Sequence, residues 1–309
     1  MKSETFTFKG IGDMDIFTHK WSPEDENKIK GAVQIAHGMS ESAERYESVA
    51  KELTEAGYIV YGDDHRGHGQ TAKEIDSLGC LNEDCFNLMV EDIYKLSKII
   101  RDENPNLPIF LLGHSMGSFL TQRFICLYGN KLSGTILSGS NGSQGIIADI
   151  GRIVARREIK KLGRDKKSTL MSRLSFGGFN RAFKPNRTEF DWLSRDEKEV
   201  DKYIENPYCG YIYNTGFYYD LLGGLKLIAR KEEVNKIPKD LPIYIFSGDK
   251  DPVGNFGKGV LKLVNLYKSV GIEDLEYKLY KDGRHEMFNE INKEEVVKDL
   301  IVWLDKHIN

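Results

Sequence analysis

The sequence predicts an α/β fold in which a mostly parallel sheet of eight strands is covered on both faces by helices. Short runs that are apolar throughout alternate with segments of helical spacing, which is the pattern of buried parallel strands and their crossover helices. The alternation stops once, over about ninety residues, and then resumes. Hydrophobic residues make up 40% of the chain and charged residues 29%, as is typical of a globular protein.

Apolar runs bounded by glycine or charged residues predict the strands. Residues 1–10 and 14–21 are expected to form an antiparallel pair at one edge of the sheet. The buried strands follow in chain order at 31–38, 58–64, 107–113, 135–140, 243–248 and 275–280.

Helices are predicted between these strands, where apolar residues recur three and four positions apart. Tyr46, Val49 and Leu53 share one helical face, and this pattern stops at Gly57. The predicted helices cover, in order, 42–57, 84–103, 116–128, 256–270 and 293–308.

The alternation is absent from residues 143–235, which are basic at first and then aromatic. Both flanks are needed to complete one sheet, so we expect a mainly helical inserted cap at 143–235 on a core formed by 1–142 and 236–309. A separate second domain is the alternative.

The formal net charge of −3 argues against a nucleic-acid-binding protein, which would be basic. The spacing of Cys80, Cys85, Cys126 and Cys209 fits neither a metal motif nor a disulfide framework, so reduced thiols are expected, with a Cys80–Cys85 disulfide as the alternative. The N-terminal segment lacks the apolar core of a signal peptide, and no stretch reaches the roughly 18 apolar residues of a membrane span. We therefore expect a cytoplasmic protein.

Residues 113–117, Gly-His-Ser-Met-Gly, match G-x-S-x-G directly after an apolar strand and directly before a helical pattern. A serine at such a strand–turn–helix elbow points its hydroxyl above the sheet edge, and the helix N-terminus favours developing negative charge there. Ser115 is therefore the predicted nucleophile. The alternative is a serine that only caps the helix.

A serine hydroxyl needs a base, and in this arrangement the order along the chain is serine, acid, histidine. Only His285 and His307 follow Ser115 in the sequence. His307 falls in the last turn of the terminal helix, where it would cap, whereas His285 lies in a loop after a strand. We predict His285 as the base, against the alternative of a loop histidine bonded to local backbone.

The acid that orients the histidine should follow a strand between the serine and the histidine. The segment 247–254 offers Asp249 and Asp251. We predict Asp251, because Pro252 rigidifies the segment after it, and its role would be to fix the tautomer of His285.

Two backbone N–H groups should stabilise the oxyanion. Met116 follows the nucleophile, and Met39 lies in the loop after the strand 31–38, so these two residues are the predicted donors. The same loop contributes His37, Gly38 and Ser40 to the predicted substrate-binding surface. An ordinary strand-ending turn is the alternative, and the chemistry requires no cofactor or metal.

Residues 64–71, Asp-His-Arg-Gly-His-Gly-Gln-Thr, are dense in histidine, aspartate and glycine. A metal site is one interpretation, but no further His, Asp or Glu group is placed to complete its ligands. We expect a rigid turn with a polar network beside the elbow.

With these residues placed, the chain resembles the monoacylglycerol lipase and lysophospholipase group of α/β hydrolases, particularly its bacterial members. The resemblance covers nearly the whole chain, including a part of the cap at 186–211. It rests on HGMSESAERY (37–46), DDHRGHGQT (63–71), LLGHSMGS (111–118), SGDKDPVG (247–254) and GRHEMFNE (283–290).

The resemblance implies the α/β-hydrolase fold and a triad of Ser115, Asp251 and His285, with Met39 and Met116 as oxyanion donors. It also implies long-chain monoacylglycerol or lysophospholipid substrates. The family usually has HGxGEH, and here Ser40 and Ser42 stand at the positions of its second glycine and its histidine.

Residues 151–187 contain twelve Lys or Arg and two acids. This segment is interpreted either as a solvated helix face or as a surface that meets an anionic membrane or a lipid phosphate. Ile146, Ile147, Ile150, Ile153 and Val154 have helical spacing, so an amphipathic cap helix that gates acyl entry and contacts lipid is a hypothesis.

An aromatic run, which consists of Tyr208, Tyr211, Tyr213, Phe217, Tyr218 and Tyr219, could line an acyl pocket, although core packing is expected for most of it.

The predicted function is hydrolysis of a carboxylic ester with one acyl chain through an acyl-enzyme at Ser115. The alternatives are an aminopeptidase-like or acyltransferase activity on the same triad, or a short-chain carboxylesterase. An aminopeptidase would need acidic groups in the cap to hold an amine, and the first part of this cap is basic. A scaffold without activity that binds a ligand or partner is the rival from another class.

Overall fold

The computed structural model describes residues 1–143 and 145–308, and in that part of the chain eight strands form one sheet. Gln144 and Asn309, which fall in the predicted cap and core, lie outside the described residues. The strands are β1 (Lys2–Lys9), β2 (Asp15–Ser22), β3 (Gly31–Ala36), β4 (Tyr58–Asp63), β5 (Ile109–His114), β6 (Gly134–Ser138), β7 (Ile243–Gly248) and β8 (Leu275–Tyr280).

The strand order is β1-β2-β4-β3-β5-β6-β7-β8. β1 pairs with β2, and β2 with β4, in antiparallel fashion. All other neighbours are parallel. The predicted α/β class, strand number and antiparallel edge pair are therefore confirmed.

Ten α-helices lie in the described residues. The five outside the region between β6 and β7 match the predicted segments to within a few residues, except that α1 is preceded by a 3-10 turn at Ala43–Tyr46. The helices are α1 (Glu47–Glu55), α2 (Cys85–Glu103), α3 (Met116–Tyr128), α4 (Ile146–Leu162), α5 (Thr169–Phe176), α6 (Glu197–Glu205), α7 (Thr215–Ile228), α8 (Lys231–Val234), α9 (Lys258–Ser269) and α10 (Lys293–Lys306).

The central strands are buried along their whole length because helices cover both faces of the sheet. Successive side chains of β5 point to opposite faces. Leu111 packs in a cluster with residues of α2, α3 and α9, whereas Phe110 and Leu112 pack in one with residues of α1 and α10. The apolar runs read as strands therefore supply both halves of the core.

The chain between β6 and β7 contains α4 to α8, and its described residues form no strand of the sheet. α7 lies directly against α2, since a Cβ added at Gly224 would come within 2.5 Å of the Phe86 ring. This close approach anchors α7 to the helices of the sheet.

All four cysteines are free, as predicted. Among the described residues, no helix combines the length and hydropathy that a membrane span requires.

Candidate active site

Ser115 occupies the elbow between β5 and α3, with φ 52° and ψ −117°. A non-glycine residue rarely adopts a positive φ, and such strain is typical of functional turns. Glycine is required at the neighbouring positions 113 and 117, because a larger residue would collide with the backbone. A Cβ on Gly117 would lie 1.9 Å from the Ala36 carbonyl oxygen, and one on Gly113 would lie 2.4 Å from the Gly117 carbonyl oxygen. The turn thus holds the serine at the carboxyl edge of the sheet.

The structure brings Asp251 and His285 together. His285 Nδ1 lies 3.0 Å from Asp251 Oδ1. The Asp251 carboxylate is fully buried and also accepts hydrogen bonds from the Ser247 hydroxyl at 2.8 Å and the Val253 N–H at 2.8 Å. Asp249, the other candidate acid, instead accepts from the Asp282 N–H. The arrangement fixes the proton of His285 on Nδ1 and leaves Nε2 as the free basic atom.

Ser115 and His285 line the same cavity, which has a volume of about 530 Å³. Among the described residues, no hydrogen bond involves the Ser115 hydroxyl, so the hydroxyl can rotate toward the imidazole. Hydrogen bonds of this kind commonly tighten only when substrate is bound.

The charged forms of Asp251 and His285 stabilise each other. Burial lowers the pKa of His285, but the negative charge of Asp251 and the hydrogen bond to it outweigh that effect, so the pKa is raised from its ordinary value of 6.5. Burial raises the pKa of Asp251, and the charge and hydrogen bond of His285 outweigh it, so that pKa is lowered. A carboxylate in this position is suited to stabilise an imidazolium.

Within the described residues, the fold makes no use of the backbone N–H groups of the two predicted oxyanion donors, Met39 and Met116. The N–H of Gly38 is bonded to Glu41 Oε1 at 2.5 Å, and the N–H of Ser40 to the Tyr213 hydroxyl at 2.6 Å. Between them, the Met39 N–H has no hydrogen-bond partner in the described part of the chain, nor has the Met116 N–H at the first position of α3. The side chains of Glu41 and Tyr213 thus hold the loop on either side of Met39 and leave the Met39 N–H available.

Tyr213 is a positioning residue that the sequence did not reveal, and we expect Tyr213→Phe to lower kcat about tenfold. Its hydroxyl accepts from the Ser40 N–H and lies 2.6 Å from His68 Nε2. The substitution leaves the buried Ser40 N–H without a partner, at a cost of about 1–3 kcal/mol in the free energy of unfolding. Steady-state kinetics and denaturant unfolding measure the two effects.

Tyr267→Phe is the matched control, because Tyr267 is equally buried and its hydroxyl has no hydrogen-bond partner among the described residues. It should change neither kcat nor stability appreciably. Equal losses of kcat in the two variants would contradict the positioning role of Tyr213.

Gly38 and Ser40 line the cavity as predicted, but His37 does not, which differs from the predicted contact with substrate. The ring of His37 is fully buried behind the loop, where Nε2 accepts from the His65 N–H at 3.0 Å and Nδ1 lies 2.8 Å from the Gly38 oxygen. Burial lowers the pKa of His37 well below its ordinary value, so the ring is a neutral structural element. Ser40 has φ 57°, a conformation that suits the glycine of related sequences.

The histidines of residues 64–71 join a polar network, as expected. His68 Nδ1 lies 2.8 Å from the Arg66 oxygen, and burial lowers the pKa of His68 to about 3. His65 Nδ1 lies 3.0 Å from Asp63 Oδ2, and its ring stacks on His37 with 4.1 Å between centroids. Through the bond from His68 to Tyr213, the network supports the loop of Gly38, Met39 and Ser40, which we call the oxyanion loop.

A buried ion network lies next to His285 and was not predicted. Arg45 donates to Glu41 at 2.5 Å and makes two bonds of 2.7 Å to Glu286, and it stacks over the Tyr203 ring. Burial raises the pKa of Glu286, but the charge and hydrogen bonds of Arg45 prevail and lower it to about 2. Arg45 therefore ties the oxyanion loop, the His285 loop and α6 together.

The loop that carries His285 is bonded to a segment between α5 and α6. The Glu286 N–H donates to the Leu193 oxygen at 2.8 Å, and Arg284 donates to the Asp191 carbonyl oxygen. The Trp192 ring lies 5.2 Å from the His285 ring. The chain between α5 and α6 therefore forms one wall of the site.

Aromatic rings line much of the cavity, and of the predicted aromatic run only Tyr211 is among them. Tyr213, Phe217 and Tyr218 are buried in the core, as expected for most of that run. The aromatic rings of the cavity wall are Phe176, Phe190, Trp192, Tyr203 and Tyr211.

The sequence matches the family described as serine aminopeptidase, S33, over residues 27–292. It is 29% identical over 306 residues to a monoacylglycerol lipase of Mycolicibacterium smegmatis, covering 98% of this chain and 97% of the relative. It is 25% identical to the human monoglyceride lipase, covering 94% and 87%. The fold is similar to a thermostable carboxyl esterase of Bacillus coagulans, with a TM-score of 0.92, 29% identity and complete coverage of both chains.

Proposed function

Since the chain belongs to the serine aminopeptidase family of α/β hydrolases, we propose that it hydrolyses a carboxylic ester with a single acyl chain, most specifically a monoacylglycerol or a lysophospholipid. The similarity to monoacylglycerol lipases and a carboxyl esterase supports ester chemistry. The observation that carries the proposal is that Ser115, His285 and Met39 line one cavity, while Asp251 is bonded to His285 behind the cavity wall.

In the proposed reaction, Ser115 Oγ attacks the ester carbonyl carbon while His285 Nε2 takes the hydroxyl proton. The N–H groups of Met39 and Met116 hold the oxyanion. His285 then gives the proton to the leaving alcohol, which leaves an acyl-enzyme on Ser115. Water, deprotonated by His285, attacks this acyl group and releases the fatty acid.

The charges around the cavity favour an ester over a peptide with a free amine. Glu41 and Glu286 are both paired with Arg45, so they are not available to hold a substrate ammonium group. The third carboxylate of the described lining, Glu189, is exposed, and Arg173 adds a cation to the same wall. The aromatic rings of the wall and a volume of about 530 Å³ suit one acyl chain, and the volume lies within the usual range for small-molecule sites.

The proposed domain division places the core at 1–142 and 236–309 and an inserted cap at 143–235. The helices α4 to α6 lie between β6 and β7 in the sequence, and the Trp192 ring lies against that of His285, which supports a cap that controls access. A cytoplasmic location is supported by the four free cysteines.

A profile of acyl length tests the substrate class. Turnover of p-nitrophenyl esters from about C2 to C16 is compared with turnover of monoacylglycerol and lysophospholipid. The proposal expects the highest kcat/KM for a medium or long chain, because the cavity wall is aromatic. A maximum of kcat/KM at the shortest esters would indicate a short-chain carboxylesterase instead of a lipase.

The membrane contact is also a proposal, and it is supported by the apolar surface of α4. Ile146, Ile147, Ile150 and Ile153 are 76%, 75%, 57% and 55% exposed, on a helix that also carries many cationic side chains. An exposed apolar face beside basic residues is typical of a helix that lies in the membrane interface.

We expect Ile150→Glu to reduce flotation with anionic vesicles at least about fivefold, because the substitution places a charge in the apolar face. Val302→Glu is the control: Val302 is 62% exposed but lies on α10, which packs on the other face of the sheet. Hydrolysis of a water-soluble ester should stay unchanged in both. Equal vesicle binding by the two variants would rule out α4 as the contact surface.

A further inference from the structure

A second cavity of about 240 Å³ lies where α2, α4 and α7 meet. It shares no lining residue with the cavity of Ser115. Three cationic side chains line it, those of Arg152, Lys226 and Arg230. Gly223 leaves room beneath the guanidinium, since a Cβ there would lie 3.6 Å from Arg152 Nε.

Arg152 has no counter-ion in the part of the chain that the structure describes. Its Nε is buried without a hydrogen-bond partner, and within the described residues no carboxylate lies within ion-pair distance of its guanidinium. The group instead stacks over the Tyr219 ring at 4.3 Å. Nε of Arg123 and of Arg164 is also buried and unpartnered, but each of those guanidinium groups pairs with a carboxylate. A partly buried cation without an anion is costly, so an external anion would stabilise it.

The other charges around the cavity leave an excess of positive charge. Asp220 is committed to Arg164 and to the Cys85 N–H, and Lys226 is paired with Asp149. Arg230 is exposed and forms no ion pair among the residues described. The one further carboxylate is that of Asp84 on the exposed rim, which accepts from the Asn87 amide.

We propose that this cavity binds a phosphate group, the chemistry shared by inorganic phosphate and a phospholipid headgroup. The fork of Arg152 matches two phosphate oxygens, and Arg230, which forms no ion pair among the described residues, adds charge from the segment after α7. The adjoining exposed face of α4 is apolar at Ile150 and Ile153, which places acyl chains beside the cavity if the phosphate comes from a lipid. The site is independent of the triad, and its lipid source rests on the proposed membrane contact.

Isothermal titration with inorganic phosphate tests the site in the full-length protein. We expect Arg152→Gln to weaken binding at least about tenfold, since it removes charge-assisted bonds. Arg156→Gln is the matched control, because Arg156 is an exposed residue of α4 that does not line the cavity. Arg230→Gln, at an exposed position, should weaken binding too and decides the outcome if the first variant fails to fold.

Flotation with phosphatidylglycerol and phosphatidylcholine vesicles identifies the source of the phosphate. If Arg152→Gln binds phosphatidylglycerol vesicles more weakly than Arg156→Gln does, and only those vesicles, the result supports a lipid headgroup. If Arg152→Gln binds inorganic phosphate more weakly in the titration, the result supports the free anion. Binding that is equal in the two variants in both assays, or absent from the wild type, overturns the site. Hydrolysis of a water-soluble ester is measured in parallel and should not change, so failure of the proposed catalytic function would be seen separately.

Discussion

Ser115→Ala should lower kcat about a million-fold, because it removes the hydroxyl that we propose forms the acyl-enzyme. The fold should survive. The Ser115 hydroxyl takes part in no hydrogen bond among the described residues, so its loss should change the free energy of unfolding by less than about 0.5 kcal/mol. Ester turnover at high enzyme concentration and thermal unfolding measure the two quantities.

Ser118→Ala is the control for that substitution. Ser118 lies one turn further along α3, and its hydroxyl bonds to the Ser115 carbonyl oxygen and to Ser140 rather than facing the cavity. Its kcat should stay within about tenfold of the wild type. A Ser115→Ala protein with the turnover of Ser118→Ala would reject Ser115 as the nucleophile.

Asp251→Asn should lower kcat about ten-thousand-fold while leaving the geometry largely intact. In the wild type, the carboxylate accepts a hydrogen bond from the Nδ1–H of His285. The asparagine amide can turn its NH₂ group toward that nitrogen instead. This would favour the tautomer with the proton on Nε2, which cannot act as the base. The neighbouring Asp249→Asn is the control. Asp249 accepts from the Asp282 N–H and pairs with Lys250 rather than with His285, so its substitution should change kcat by a few-fold at most.

The pH dependence provides a separate test of the same pair. The base works only when His285 is neutral, so kcat/KM should fall as the pH drops through the pKa of His285, which lies above 6.5 in the wild type. Without the charge of Asp251, burial dominates and lowers that pKa, so the acid limb of the residual activity should move to lower pH. An unmoved limb would mean that Asp251 does not control the protonation of His285.

The sheet and its covering helices could be predicted because each strand and helix leaves a local period in the sequence. The elbow could be predicted because glycine is required at 113 and 117, where a Cβ would collide with backbone. Asp251 and His285 followed from their places after β7 and β8, since parallel strands end at one edge of the sheet.

The supporting contacts could not be predicted. The bond between Ser40 and Tyr213 joins residues 173 positions apart, and that between Arg45 and Glu286 joins residues 241 apart. No local pattern specifies such pairs, because each joins segments that only the tertiary fold brings together. The prediction that His37 contacts substrate was wrong for the same reason. Its ring turns inward and accepts a hydrogen bond from the His65 N–H, a contact that depends on the loop after β4.

The central claim is that an imidazole activates the hydroxyl of Ser115, and the rate of phosphonylation by a fluorophosphonate tests it most directly. Intact-mass spectrometry with peptide mapping should find one adduct, on Ser115, and His285→Gln should form it at least about a thousand-fold more slowly. An adduct on another residue, or a His285→Gln protein labelled at the wild-type rate, would contradict the account.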